Sequence, residues 1–414
     1  MFKALTQRDF TILWVGQTIS LLGDGIFTVA LAWQALELPN GTVALGVVMI
    51  VRSVARVATL LVGGALADRY QKRFLILFGE VLQMVAVAAL AYLVATDQLE
   101  LWELTTVAGV AGVGSGIFLA SSSAIVPELV DENYYQSANS LRSSAFLMAS
   151  DLLGPALGGV LIAAFGTATA FAIDAATFVA SIFALLMIRS RRIETELEKT
   201  SFFREVREGI SYVLKKPWLW VSLLAVGTVG NFVAYGPLPV TIPLLIQEDL
   251  GGGASDLGFV LAGFGVGGLF GALVGGALKF RRRTPVPAYI GWMTCAMALG
   301  LLAFSPNVAV AGLLFGIAGF AGQIAEVAWV TLQQTLVPAR LLGRVTSTDW
   351  LLSLSLQPAG VALASPVASL IGVTGTIFAG ATIAVAACAV GLTVPSVRDP
   401  SLTEDLHPSA VTGP

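Results

Sequence analysis

Residues 63–74 read Gly63-Gly64-Ala65-Leu66-Ala67-Asp68-Arg69-Tyr70-Gln71-Lys72-Arg73-Phe74, and what stands on either side of them decides the fold. An apolar run, 43–67, leads into this stretch and another, 74–95, leads out of it. At 1.5 Å per helical residue each is long enough to cross the roughly 30 Å of a bilayer's hydrocarbon. A short charged break between two bilayer-length apolar runs predicts a hairpin of membrane helices. Working outward in both directions gives twelve such segments, near 11–36, 43–67, 74–95, 104–127, 138–165, 167–188, 218–247, 255–278, 285–304, 307–334, 344–370 and 373–394. Composition agrees. Of 414 residues 56% are hydrophobic and 12% are charged, against about 25% charged in soluble domains. The mean hydropathy is +0.84. The 44 glycines suit helices that pack closely in lipid.

The same inventory excludes several kinds of function. A net charge of −3 offers no polybasic face for nucleic acid. Cys295 and Cys388 both lie in apolar runs, which argues against a disulfide framework or a metal site. The single histidine, His407, sits in the polar tail, removing histidine catalysis and most zinc chemistry. No His-Glu-x-x-His and no phosphate-cradling loop is present. The first segment follows Phe2, Lys3 and Arg8 without a small-residue cleavage site, so it reads as a retained span.

Charge placement predicts orientation. Of 23 Lys and Arg, only Arg52 and Arg56 lie deep within a segment; the others, Arg142 and Arg344 near segment ends included, fall at the N-terminus, at alternate loops or their edges, or in the tail. The remaining loops hold only acidic charge, Asp97, Glu100, Glu248, Asp249 and Asp256. The positive-inside rule then predicts that both termini are cytoplasmic, in the inner (plasma) membrane. Mixed charge and scattered apolar residues at 189–217 predict an amphipathic helix on the inner surface. The chain thus divides into a six-helix bundle, 1–188, a linker, 189–217, a second six-helix bundle, 218–395, and a polar tail, 396–414. Gly63-Gly64-Ala65-Leu66 at the end of segment 2 is repeated as Gly275-Gly276-Ala277-Leu278 at the end of segment 8. Two such halves are a transporter architecture, with a substrate site at their interface.

The run Gly64 to Arg73 resembles the loop signature of the major facilitator superfamily, Gly-x-x-x-Asp-Arg-x-Gly-x-Arg, with Gln71 where the family has Gly. In the second copy Phe280 stands in place of the acid. The resemblance implies an all-α integral membrane protein, twelve helices in two pseudo-symmetric six-helix halves. It also implies a conformational latch made by Gly64, Asp68, Arg69 and Arg73, in which Asp68 meets a neighbouring helix N-terminus. In segment 5, Gly154-Pro155-Ala156-Leu157-Gly158-Gly159 is similar to the antiporter motif of proton-coupled drug exporters. Ser150 and Leu141 replace that motif's upstream glycines. A proline kink with small residues for close packing is the alternative. With Val126-Pro127-Glu128, Ala138-Asn139-Ser140-Leu141, Phe171-Ala172-Ile173-Asp174 and Gly343-Arg344-Val345, the chain resembles the branch holding macrolide-efflux, tetracycline-efflux and enterobactin-exporter proteins.

Ionisable groups inside a bilayer are expensive and so are functional candidates. Asp24 lies roughly 20 Å along segment 1, and Arg52 and Arg56 lie at roughly 22 and 16 Å on segment 2, so the arginines bracket it. Four residues apart, they share a helix face. Gln17, Ser20, Asp24 and Thr28 form a polar stripe, predicted to face a wet cavity. Asp151 on segment 5 falls at a similar depth, and Glu326 on segment 10 at roughly 12 Å. Asp24, Asp151 and Glu326 are therefore the candidate proton-coupling carboxylates, with Arg52 and Arg56 as charge partners. A structural ion pair that never changes protonation is the competing reading of Asp24. Gln17, Thr28, Asn231, Tyr235, Gln323 and Trp329 are candidate cavity residues. Asp174 reads as structural packing; Glu80 and Asp349 read as shallow groups that snorkel to water. Three prolines in seven residues, Pro237, Pro239 and Pro243, predict a disrupted helix and a gate at the outer end of segment 7.

The expectation is a secondary exporter of an amphipathic small molecule, driven by protons through alternating access, without a cofactor and monomeric in the bilayer. A uniporter, importer or lipid-handling member of the same superfamily is the alternative within transport. A transport-dead sensor or an intramembrane enzyme lies further off: Leu22-Gly23-Asp24 shares only part of the Gly-x-Gly-Asp of aspartyl intramembrane proteases.

Overall fold

The computed structural model describes residues 2–188, 202–278 and 284–400, and the side chains of 2, 61–69, 123–124, 132, 202–207, 209 and 339–340 lie outside that description. Among the described residues every regular element is helical. Nine stretches are long and apolar enough to cross a membrane: Arg8–Glu37, Gly41–Leu60, Lys72–Ala95, Leu101–Ser122, Tyr135–Met187, Pro217–Asp249, Ala254–Ala277, Val308–Leu336 and Leu341–Thr393. The fifth and ninth run to 53 residues, too long for one crossing. Each is broken by a single glycine in the left-handed region, Gly166 with φ +81° and Gly372 with φ +78°, a conformation that side-chain-bearing residues rarely adopt. Each is therefore two spans. With the shorter apolar helix Val286–Leu302, the chain makes twelve spans, numbered 1 to 12 below in chain order, and these match the twelve apolar segments.

Large apolar side chains such as Leu370, Phe183 and Phe165 are exposed on the outer faces of the helices, which is stable only against hydrocarbon. Between helices the packing is made by glycine. Gly154 on span 5 faces Gly25 on span 1, where a Cβ would lie 2.6 Å from the Gly25 Cα. Gly158 faces Ile26, while Gly159 faces Gly258 on span 8, its own Cβ position 2.7 Å from the Ala254 carbonyl. Span 5 is thus glycine-matched to span 1 within its own half and to span 8 of the other half.

Prolines shape the same helices. Pro155 has no N–H to offer the Asp151 carbonyl, and Pro237 has none for the Val233 carbonyl. The chain widens into π-helical turns just before both prolines, at Phe146–Leu153 and Leu223–Tyr235, a form that accommodates a lost i→i−4 bond. The freed carbonyls point at glycines on neighbouring helices: the Asp151 carbonyl lies against Gly265 and that of Val233 against Gly380. Such approaches allow Cα–H···O contacts.

The two halves meet most tightly at the end of the molecule opposite the chain termini. There the Thr42 hydroxyl donates to Glu248 Oε1 at 2.9 Å, and the Ser365 hydroxyl donates to the Thr42 carbonyl at 3.2 Å. The helix Leu238–Leu244, which contains Pro239 and Pro243, packs on spans 1 and 2. The first part of span 7, 217–235, packs chiefly within its own half. At the end that bears the termini, Lys72 pairs with Glu128 at 2.7 Å, Arg73 donates to the Leu186 carbonyl at 3.0 Å, and Arg344 pairs with Glu208. Glu208 belongs to the helix Phe202–Lys215, which lies against the start of span 11. Residues 189–201 of the linker, Phe280 and the tail from 401 onward lie outside the described residues.

Candidate functional site

Two groups of polar side chains lie within the spans. One lines a cavity of about 320 Å³ in the second half, bounded by spans 7 to 12 and closed on one side by Leu147 and Asp151 of span 5. Four of the six residues read as cavity candidates line it: Asn231, Tyr235, Gln323 and Trp329. Asn231 donates back to the Gly227 carbonyl at 2.8 Å, and the Tyr235 hydroxyl lies 2.9 Å from Cys295 Sγ. Glu326 lines the cavity and is exposed to it.

Asp349 corrects the sequence reading. Expected to snorkel, it lines the cavity and is fixed by three donors: Trp329 Nε1 at 2.7 Å, Gln333 Nε2 at 2.6 Å and Ser353 Oγ at 3.1 Å. Around it the aromatic rings form an edge-to-face ladder. Tyr289 and Trp292 lie 5.9 Å apart, Trp292 and Trp329 5.6 Å, Trp329 and Trp218 5.9 Å, spacings at which such pairs are favourable. The described lining carries three carboxylates, Asp151, Glu326 and Asp349, and no Lys or Arg. Apolar and aromatic walls with a few convergent polar groups are the ordinary make-up of a small-molecule site.

The second group lies in the first half, away from this cavity. Asp24 is half-buried, Arg52 half-buried and Arg56 exposed. Asp24 lies within the electrostatic reach of both arginines, and Arg56 within that of Asp151 as well. Arg52 donates to the Thr28 hydroxyl at 3.4 Å and sits 5.0 Å from the centre of the Phe27 ring. Gln17 and Thr28 thus stand elsewhere than in the cavity, because span 1 presses the stripe against its neighbours. Gln17 is 6% exposed, and Thr28 donates to the Asp24 carbonyl at 2.9 Å.

Of two further carboxylates, one departs from the sequence reading. Glu80, expected to snorkel, is 1% exposed and accepts from the Ser181 hydroxyl at 2.6 Å. Asp174, read as packing, is 1% exposed with neither carboxylate oxygen hydrogen-bonded. Depth along a helix says nothing about which way a residue faces, and spans 3 and 6 turn these faces toward each other and toward span 1. Of the latch residues, Arg73 is held by the Leu186 carbonyl. Gly64, Asp68 and Arg69 end the helix Gly41–Arg69, and their side chains lie outside the described residues.

Two six-helix bundles joined by glycine-matched helices, one of them lining a cavity, define a multi-pass membrane transporter of the major facilitator type. The chain belongs to the transmembrane secretion effector family, MFS_3, whose model matches residues 1–412. It is a transporter and not an enzyme. It is 29% identical over 351 residues to the uncharacterised MFS-type transporter YfiS of Bacillus subtilis (strain 168), 82% of each chain. To the multidrug efflux pump Tap of Mycolicibacterium fortuitum it is 27% identical over 374 residues, 86% of this chain and 88% of that one. To the enterobactin exporter EntS of Salmonella choleraesuis (strain SC-B67) it is 23% identical over 348 residues, 82% and 81%. Among solved structures, a bacterial homologue of the human lysosomal transporter Spinster, inward-facing and unoccupied, superposes with TM-score 0.68 at 15% identity, over 93% of this chain and 94% of that one. A POT family transporter in complex with 5-aminolevulinic acid gives TM-score 0.72 at 13% identity, over 94% and 96%.

Proposed function

We propose that this transporter exports an amphipathic, cationic small molecule across the inner membrane in exchange for protons, with both termini in the cytoplasm. The observation that carries the reading is the cavity. Its lining rings, Tyr235, Phe264, Trp292, Trp329 and Trp350, suit a flat apolar body, and its three carboxylates without a basic residue suit positive charge. A cation desolvated beside aromatic faces gains about 0.5–2 kcal/mol from each well-placed ring. The named activities of two relatives, multidrug efflux and enterobactin export, support outward movement of bulky organic molecules. The bias of Lys and Arg toward the loops on the side of the termini supports the orientation.

Antiport requires that proton and substrate binding oppose each other, at one site or through a change of conformation, so that one carboxylate is neutral in one half-cycle and ionised in the other. Asp24, Asp151 and Glu326 serve this role in the proposal, with Arg52 and Arg56 as partners and the proton gradient as the only energy source. Asp68 steadies one end state at the cytoplasmic surface, and the monomer suffices.

The test is reconstitution into liposomes with an imposed pH gradient, using tetraphenylphosphonium as probe. Gradient-driven accumulation that collapses with a protonophore is expected, with an aromatic anion of similar size left behind. Accumulation unaffected by the gradient would remove antiport; transport of the anion in preference to the cation would remove the substrate class.

A further inference from the structure

Asp174 is the most tightly sealed acidic group among the described residues that lacks a hydrogen-bond partner. Both carboxylate oxygens are buried and unpartnered, and the residue is 1% exposed. The Thr177 hydroxyl one turn away donates to the Asp174 main-chain carbonyl at 2.7 Å and is the one polar side chain on span 6 beside the carboxylate. Span 1 makes room for it with a glycine: a Cβ on Gly23 would collide with Asp174 Oδ1 and Thr177 Oγ1. The carboxylate is thus pressed against the helix turn that carries Asp24.

The charged groups facing it come from three neighbouring spans. Span 1 presents Asp24, span 2 presents Arg52, which interacts with both aspartates, and span 3 presents Glu80, bound to Ser181 two turns from Asp174. Leaving an ionised carboxylate in such a place with no partner costs several kcal/mol. Two low-energy arrangements remain: a neutral acid, or an anion toward which the Arg52 guanidinium has turned. Two carboxylates that share one cation and a dry site hold one proton between them.

Resting on the antiport reading above, we infer that Asp174 and Asp24 form a two-carboxylate proton site governed by Arg52, with Asp174 as its inner, sealed member. A proton arrives from the exposed side at Arg56 and binds the Asp24 carboxylate. It then passes inward: the O–H bond on Asp24 breaks, one forms on Asp174, and Arg52 pairs with the newly ionised Asp24. Charge is conserved at each step, and the proton leaves by the reverse exchange. Asp174 is a proton-holding residue remote from the cavity, which separates proton and substrate sites by helix packing.

Infrared difference spectroscopy of the purified, lipid-reconstituted protein during a pH jump tests this without any substrate. A neutral carboxylic acid has a C=O stretch that a carboxylate lacks. Asp174→Asn is expected to lose one such acid signal; an unchanged set of acid signals overturns the inference. Should Asp174→Asn fail to fold, Asp24→Asn reads the same coupling from the other side. It leaves Asp174 in place and is expected to move the midpoint of the remaining acid signal, whereas an unmoved midpoint overturns the proposed pair. The liposome assay separates the two claims. Gradient-driven probe uptake with no Asp174 signal sinks the pair alone, and an Asp174 signal in a protein that ignores the gradient sinks antiport alone.

Discussion

The halves share a fold and differ in what they enclose. The second half surrounds a cavity whose carboxylates reach its surface, one of them clamped by Trp329, Gln333 and Ser353. The first half lends Asp151 to that cavity but presses Asp174 and Glu80, each 1% exposed, against other helices, and it carries the mid-span arginines Arg52 and Arg56. The same six-helix scaffold thus becomes a container when its aromatic side chains leave a gap, and a charge store when glycines let its helices close. Gly23 and Gly380 illustrate the point. Each admits a polar group of the neighbouring helix, a carboxylate in the first half and a proline-freed carbonyl in the second.

The largest expected effect lies in the charge store. Asp24→Asn fixes the side chain in the shape of its neutral form, so the arginines lose their nearest exchangeable partner. Gradient-driven export is expected to fall at least about 100-fold, on the order of 3 kcal/mol of lost coupling, while probe binding in the other half persists. Binding is read by equilibrium dialysis and export in liposomes. Uphill transport with unchanged pH dependence would assign coupling to Asp151 or Glu326.

Next come the glycines of span 5, which sort by the helix they face. Gly158→Leu drives a side chain into Ile26 of the same half, and overpacking of that kind costs about 1–3 kcal/mol. The melting temperature is expected to fall. Gly159→Leu instead meets Ala254 and Gly258 across the interface, so transport is expected to stop with the melting temperature much less affected. Equal losses of stability in both variants would show that the halves are not separable units.

Much of this comparison is legible in the sequence, and the part that is not has a common cause. Apolar run length gives the twelve spans, and the gaps at 166 and 371–372 coincide with the left-handed glycines. Depth arithmetic brings Asp24 level with Arg52 and Arg56 because all three are measured from one surface. It fails for Glu80 and Asp349, whose environment depends on which helix each face meets. A weak signal existed. Asp174 and Ser181 are seven residues apart on one face of span 6, and Gly16 and Gly23 are seven apart on span 1, two small-residue positions that Ser181 and Asp174 fill. Pairing those two stripes requires knowing that spans 1 and 6 are neighbours.

In the container, effects are expected to be smaller. Glu326→Gln removes one of three negative charges from a cavity open to water, worth about 1 kcal/mol at an effective dielectric well above that of a dry core. Affinity for tetraphenylphosphonium is expected to weaken roughly five-fold, with a neutral aromatic probe unaffected. Asp349→Asn should exceed it, since its oxygens hold Trp329, Gln333 and Ser353 in place. If Glu326→Gln weakens the neutral probe equally, the residue shapes the wall and does not select charge.

The smallest effect is expected where the comparison passes from halves to ends. The Lys72–Glu128 contact ties the first half to itself at the end bearing the termini, so breaking it alters stability without favouring either conformation. Thr42 belongs to the opposite end, where its hydroxyl reaches Glu248 and its carbonyl receives Ser365, both from the other half. Such bonds exist only while that end is closed. Thr42→Ala deletes one exposed hydrogen bond, worth about 0.5–1 kcal/mol, and leaves the carbonyl contact intact. The closed state should lose population by roughly two- to five-fold relative to the state open at that end. Spin labels placed on spans 1 and 7 at that end, with distances read by pulsed electron resonance, would record the shift as growth of the longer-distance peak. Glu128→Gln, matched in size but confined to one half, should leave the distribution unmoved. If both variants shift it alike, the ends are not energetically distinct, and the closure drawn here from Thr42, Glu248 and Ser365 is held by the glycine-matched helices alone.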